Sequence, residues 1–156
     1  MLYLSWQLEP VLLGGIVTAA VAYYLAIGPL RSRLAPTEPY PTSHALVFGL
    51  GMVLLFVNEG SPLHDLAERY LLSAHMVQHL LLSYLIAPII LAGIPTWLMR
   101  VVLLGRLERV SRAVLRPIVT FLTFSLVLAI YHVPAIYDLA LANTSFHHAV
   151  HFLILI

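Results

Sequence analysis

Residues 73–95 read SAHMVQHLLLSYLIAPIILAGIP. No Asp, Glu, Lys or Arg interrupts them, and about 20 apolar residues suffice for a helix to cross the hydrocarbon core of a bilayer. The stretch therefore predicts a membrane-spanning helix from His75 to about Trp97. Ala87-Pro88 lies in its middle, where a missing backbone N–H predicts a kink. Yet the helix begins with two imidazoles, His75 and His79, spaced i and i+4 and so on one face. Ionisable side chains within a membrane are costly and usually face the bundle interior, so these two need a purpose that apolar packing does not supply.

The rest of the chain agrees with a membrane setting. Of 156 residues, 61% are hydrophobic and 10% charged, against about a quarter charged in soluble domains. A net charge of +1 gives no ground for a nucleic-acid partner. The absence of cysteine excludes disulfides, thiolate metal sites, iron–sulfur clusters and cysteine catalysis. Eight histidines are many for so apolar a chain. MLYLSWQLEP carries no Lys or Arg and the first apolar run is long enough to span, so no cleavable signal peptide is expected.

Uncharged runs place the other spans. The first covers residues 10–30, ending at Gly28-Pro29, and the second 39–58, with a short apolar core from Ala45 to Val57. In SPLHDLAERYLLS (61–73), Leu63, Leu66, Ala67 and Tyr70 recur at helical spacing while Asp65, Glu68 and Arg69 face elsewhere, which predicts a short helix in the membrane interface. A fourth span fills 117–137, with Pro117 in its first turn. A fifth starts near His147, but ten residues reach only about 15 Å of a core about 30 Å thick. The expectation is a fragment, or an end sheltered by another subunit. The predicted fold is an all-α, polytopic helix bundle of about five spans, the last incomplete, forming a single integral membrane domain over 1–156.

Charge sets the orientation. The loop from Arg100 to Arg116 holds five of the eight arginines, and Arg31 and Arg33 follow the first span. The opposite loops lean acidic, with Glu59, Asp65, Glu68 and Asp138. The positive-inside rule puts the N-terminus outside and the arginine-rich loop in the cytoplasm. Trp6, Trp97, Tyr131 and Tyr137 suit an aromatic belt. In this topology seven of the eight histidines, all but His44, collect at the outer end.

His147 and His151 repeat the i, i+4 pairing of His75 and His79, and His132 supplies a fifth imidazole. Imidazole suits copper, zinc, nickel and iron. Met76 and His148 are secondary candidates; a thioether would favour Cu(I), although Met76 sits about 100° round the helix from His75. Gln78 lies nearer the histidine face and suits a hydrogen-bond donor behind the ligands. HMVQH and HHAVH lack the glutamate general base of a His-Glu-x-x-His zinc protease, so no enzyme is expected. A bis-histidine haem usually takes one ligand from each of two helices and leaves the pairs unexplained. Glu59 is either a carboxylate beside the cavity or a group solvated at the interface. Gly14-Gly15 and Gly49-x-Gly51 suit close packing of helices.

SAHMVQHLLL followed by IAPIILAGIP resembles the central signature of the CtaG-like cytochrome c oxidase assembly factors, found with caa-type oxidases in bacteria. YHVPAIYDLALANTSFHHAVHF resembles their second signature, and the resemblance runs from about residue 44 onward. It implies a multi-pass protein of the bacterial inner membrane that helps copper reach the oxidase, with His75, Met76, His79, His132, Pro134, His147 and His151 at the matching positions. Tyr131 stands where a tryptophan is frequent, and Val150 where an acidic residue often precedes the last histidine. The function expected is transient copper binding at an outer-face histidine cluster in aid of oxidase metallation. Terminal oxidase subunits, the lipid bilayer and other copper carriers would be the partners. The alternatives are an accessory transmembrane oxidase subunit with structural histidines, and a haem-binding electron-transfer subunit.

Overall fold

A computed structural model describes residues 5–6, 8–103 and 115–142. The expected fifth span, with His147, His148 and His151, lies outside the described residues, as does most of the arginine-rich loop. All regular structure among the described residues is helical. Three helical stretches are long and apolar enough to cross a membrane: Pro10–Ile27, Thr42–Gly60 and Leu72–Ala92. Pro117–Tyr131 is a shorter apolar helix. This is a polytopic membrane helix bundle, as the uncharged runs predict. The described residues fall into two compact units that divide after Pro95.

The first unit begins with α1 (Pro10–Ile27), followed by the single turn α2 (Arg31–Leu34) and α3 (Thr42–Gly60). Span two runs two residues beyond its expected end and takes Glu59 and Gly60 into the helix. It stops at Ser61 because a residue before proline is pushed out of the α region, and Ser61 is extended. The same serine caps α4 (Pro62–Arg69): its Oγ accepts from the Leu63 N–H at 3.3 Å, and Pro62 occupies the first turn.

The third span is built of α5 (Leu72–Leu81), a π-helical turn (Leu82–Ile86) and α6 (Ala87–Ala92). The expected disturbance at Pro88 takes this form. Pro88 has no N–H to offer, and its ring would press on the carbonyl one turn back. A wider turn just before it relieves both, and the Ala87 N–H reaches back five residues to the Leu82 carbonyl. The span starts three residues earlier than expected and ends at Gly93, two residues before Pro95.

At one end of this unit, α1, α3 and α6 lock together through Tyr23. Its hydroxyl donates to the Gly93 carbonyl at 2.6 Å, and its ring stacks on Phe48, with centroids 3.8 Å apart and planes 12° from parallel. Tyr24 donates to the Ala45 carbonyl at 3.0 Å. At the other end, Ser5 donates its N–H (2.9 Å) and hydroxyl (3.1 Å) to Asp65 Oδ2, and Trp6 stacks on Phe56. The start of the chain thus meets the end of α3 and Asp65 of α4. Large apolar side chains such as Val17, Leu46, Val53, Leu80 and Tyr84 point outward, which suits a lipid-facing rim.

The second unit contains α7 (Thr96–Leu103), α8 (Pro117–Tyr131) and α9 (Pro134–Ala142). The expected span 117–137 is broken at His132 and Val133. Pro134 is the cause: it lacks the N–H that would continue the ladder and disfavours the α conformation at Val133.

Candidate metal centre

The inward stripe of α5 and the following turn is Ala74, His75, Gln78, His79, Leu82 and Ile86. Counted from His75, all but the adjoining Ala74 recur at i, i+3, i+4, i+7 and i+11, the spacing of one helix face. Two imidazoles and an amide therefore occupy positions where a core helix would carry leucine. His75 is 0% exposed, Gln78 1% and His79 4%. The pair expected from the spacing is present: His75 Nε2 lies 2.8 Å from His79 Nε2, with the rings 4.4 Å apart and edge-on at 85°.

That distance constrains protonation. A neutral imidazole has one N–H and one lone pair, whereas an imidazolium has two N–H groups. Two imidazoliums would set N–H against N–H at this separation. The geometry thus excludes two imidazoliums and leaves at least one Nε2 with its lone pair toward the other ring. Neutral imidazole nitrogens without a nearby thiolate suit copper, zinc, nickel or iron.

Beyond the pair lies a set of polar groups for which the sequence offered no buried role except, as one of two readings, at Glu59. Asn58 and Glu59 at the end of α3, and Ser61, His64 and Asp65 at the start of α4, are all buried. Solvation of Glu59 at the interface is overturned. Glu59 follows Ala45, Phe48 and Met52 at i+14, i+11 and i+7, on the same buried face of α3, and that register was legible in the sequence. The expected short helix is present as α4. His64 and Asp65 point inward with Ala67, while Leu63 and Leu66 are half-buried and Tyr70 is exposed. The apolar spacing identified the helix correctly but not the side that faces protein.

These groups bond across the elements. Asn58 Nδ2 donates to Glu59 Oε1 at 2.9 Å. Gln78 Nε2 donates to the Asn58 backbone carbonyl at 2.5 Å and lies 3.5 Å from His64 Nδ1. Gln78 donates to Asn58 rather than to His75 or His79, so these bonds pin α5 to α3 at a position between the two histidines. Met76, the secondary candidate, is exposed on the other side of the helix. A buried amide N–H left without a partner costs about 1–3 kcal/mol, which commits the Asn58 and Gln78 N–H groups to these acceptors.

His132 belongs to the second unit, at the C-cap of α8. Its Nδ1 lies 2.7 Å from the Leu128 carbonyl, which accepts only, so Nδ1 carries the proton and Nε2 the lone pair. A backbone carbonyl fixing one ring nitrogen is the usual way a ligating imidazole is oriented. Tyr131 stands edge-on to His132 and to Tyr137, with centroids 5.5 and 6.0 Å apart.

Residues 21–156 match the model of the cytochrome c oxidase caa3 assembly factor family. No curated protein and no solved structure matches the chain.

Proposed function

The chain belongs to the cytochrome c oxidase caa3 assembly factor family, and from that premise we propose that it binds copper transiently through His75 and His79 and assists metallation of the oxidase. The observation that carries this is the pair of buried Nε2 atoms 2.8 Å apart on the inward face of a membrane-spanning helix. Burial among packed helices excludes water, and the i, i+4 spacing presents both lone pairs to one point. Gln78, held by the Asn58 carbonyl, fixes the rotation of α5 that aims them. His132, with its proton committed to Leu128, offers Nε2 as a third donor, and His147 and His151 complete the proposed set, with Met76 and His148 secondary. Copper supplies no catalysis here; it is cargo. Imidazole donors without thiolate bind it less tightly than a cysteine site would, which suits handing it on.

The protein would sit in the bacterial inner membrane with this cluster on the extracytoplasmic side, meeting oxidase subunits and other copper carriers, and would turn over no substrate. Elemental analysis tests the assignment. Purified wild type should carry copper, and His75→Ala and His79→Ala should lose most of it while keeping their helical circular dichroism. His132→Ala and His147→Ala should weaken binding. Equal copper in every sample would remove the ligand assignment and favour an accessory subunit that co-purifies stoichiometrically with the oxidase. A Soret band in purified protein would favour haem instead.

A further inference from the structure

His75 and His79 are buried, so an ion arriving from outside reaches them only when part of their cover moves. Most of the first unit is poorly suited to moving. The α3 and α6 backbones lie so close that one added carbon at Gly51 or Gly93 would collide with Ile90 or Phe48, and Tyr23 bonds α1 to Gly93. The α4 helix is different. It has eight residues, and extended backbone bounds it on both sides, at Ser61 (φ −83°, ψ 168°) and at Leu71 (φ −136°, ψ 107°). Hinged segments turn on φ/ψ changes at a few such residues between elements. The helix packs along α5 and reaches its inward stripe, where His64 Nδ1 lies 3.5 Å from Gln78 Nε2. Gln78 stands between His75 and His79 on that stripe.

The start of the chain holds α4 down. Ser5 donates its N–H at 2.9 Å and its hydroxyl at 3.1 Å to one oxygen of Asp65. Trp6, next to it, stacks on Phe56 of α3, with centroids 5.9 Å apart and planes 18° from parallel. These two residues therefore fasten α4 to the end of α3. Hydrogen bonds to a carboxylate are among the stronger ones, yet Ser5 and Trp6 are themselves exposed, so the fastening can open without disturbing the packed spans. We propose that α4 is a lid over the histidine pair and that Ser5 and Trp6 are its clasp. A lid that opens alike for the empty and the loaded site changes the rates of entry and exit together and leaves the affinity alone. Its purpose rests on the copper reading above, since it sets how fast the cargo is exchanged.

The test reads access to the site without any metal. The chain has no cysteine of its own, so His79→Cys and, separately, His75→Cys report entry of a small methanethiosulfonate reagent in detergent-solubilised protein. Ser5→Pro removes both donors at a position outside every helix, and Trp6→Ala removes the stacked ring. Ser5→Pro should speed modification of each buried thiol by roughly tenfold or more, and Trp6→Ala by a smaller factor. The rate at the exposed position of Tyr70→Cys should not change, nor should the helical circular dichroism. Equal rates with and without the clasp at both buried probes would overturn the lid, whether or not copper binds. With both histidines present, Ser5→Pro should raise the rates of Cu(I) uptake and loss by a common factor and keep the Kd. Faster thiol modification in a protein that binds no copper would keep the lid and remove the metal reading, so the two failures are distinct.

Discussion

Gly93 has no room for one more carbon. A Cβ there would collide with the backbone N, Cα and Cβ of Phe48, which cannot swing aside as a flexible side chain could. The helix propensity gained by Gly→Ala is at most about 1 kcal/mol, whereas overpacking costs typically 1–3 kcal/mol. Gly93→Ala should therefore lower the Tm in detergent, and a Tm at or above wild type would contradict this packing. Gly51 is similar, with Ile90 Cγ1 at 2.6 Å and the Ile90 backbone N at 3.2 Å from the added carbon. Gly14 and Gly15, expected to be close-packing spots, meet nothing within 4 Å, so Gly14→Ala should leave the Tm unchanged or raise it slightly. Glycine spacing was visible in the sequence. Which glycine faces a neighbour was not, because that depends on where another helix lies.

At the scale of elements, α4 is the most instructive. Its apolar stripe reads as one side of a helix in the membrane interface, with Asp65 facing elsewhere, and the structure turns His64 and Asp65 into the protein. A buried polar group is tolerable when it finds partners, and here Ser5 supplies two donors to Asp65. The chain has no cysteine of its own, so single cysteines report exposure cleanly. Tyr70→Cys should react with a maleimide in the native protein, and Ala67→Cys should be protected until denaturant is added. Equal reactivity would mean that α4 is rotated from this orientation. Loss of the N-cap in Ser61→Ala should cost about 1 kcal/mol, seen as a small drop in Tm. The π-helical turn ahead of Pro88 was anticipated only as a kink, since the proline identifies the conflict and the neighbouring packing selects the remedy.

For the molecule as a whole, the alternation of spans gives two chemically different ends to the first unit. Ser5, Asn58, Glu59, His64, Asp65, His75 and His79 lie toward one, and Tyr23, Tyr24, Ala45, Phe48 and Gly93 mark the other. The arginines at 31 and 33 follow α1 at the second end, which the positive-inside rule assigns to the cytoplasm. Ser32 and Tyr70 are both exposed. In intact cells a membrane-impermeant maleimide should therefore label Tyr70→Cys and spare Ser32→Cys until the membrane is opened. The reverse pattern would put the histidine pair on the cytoplasmic side and remove the proposed extracytoplasmic route for copper.

Residue order alone determined that this chain lives in a bilayer, where its first three spans lie and that His75 and His79 share a face. Those properties follow from transfer free energy and from a fixed number of residues per helical turn, both local quantities. Tertiary structure alone decided that Asn58, His64 and Asp65 are interior, because burial of a polar group depends on whether a partner meets it there. Asn58 meets Gln78 across 20 positions of sequence, and Ser5 meets Asp65 across 60. No periodicity within one helix encodes such a meeting, since it arises only when α3, α4 and α5 pack together.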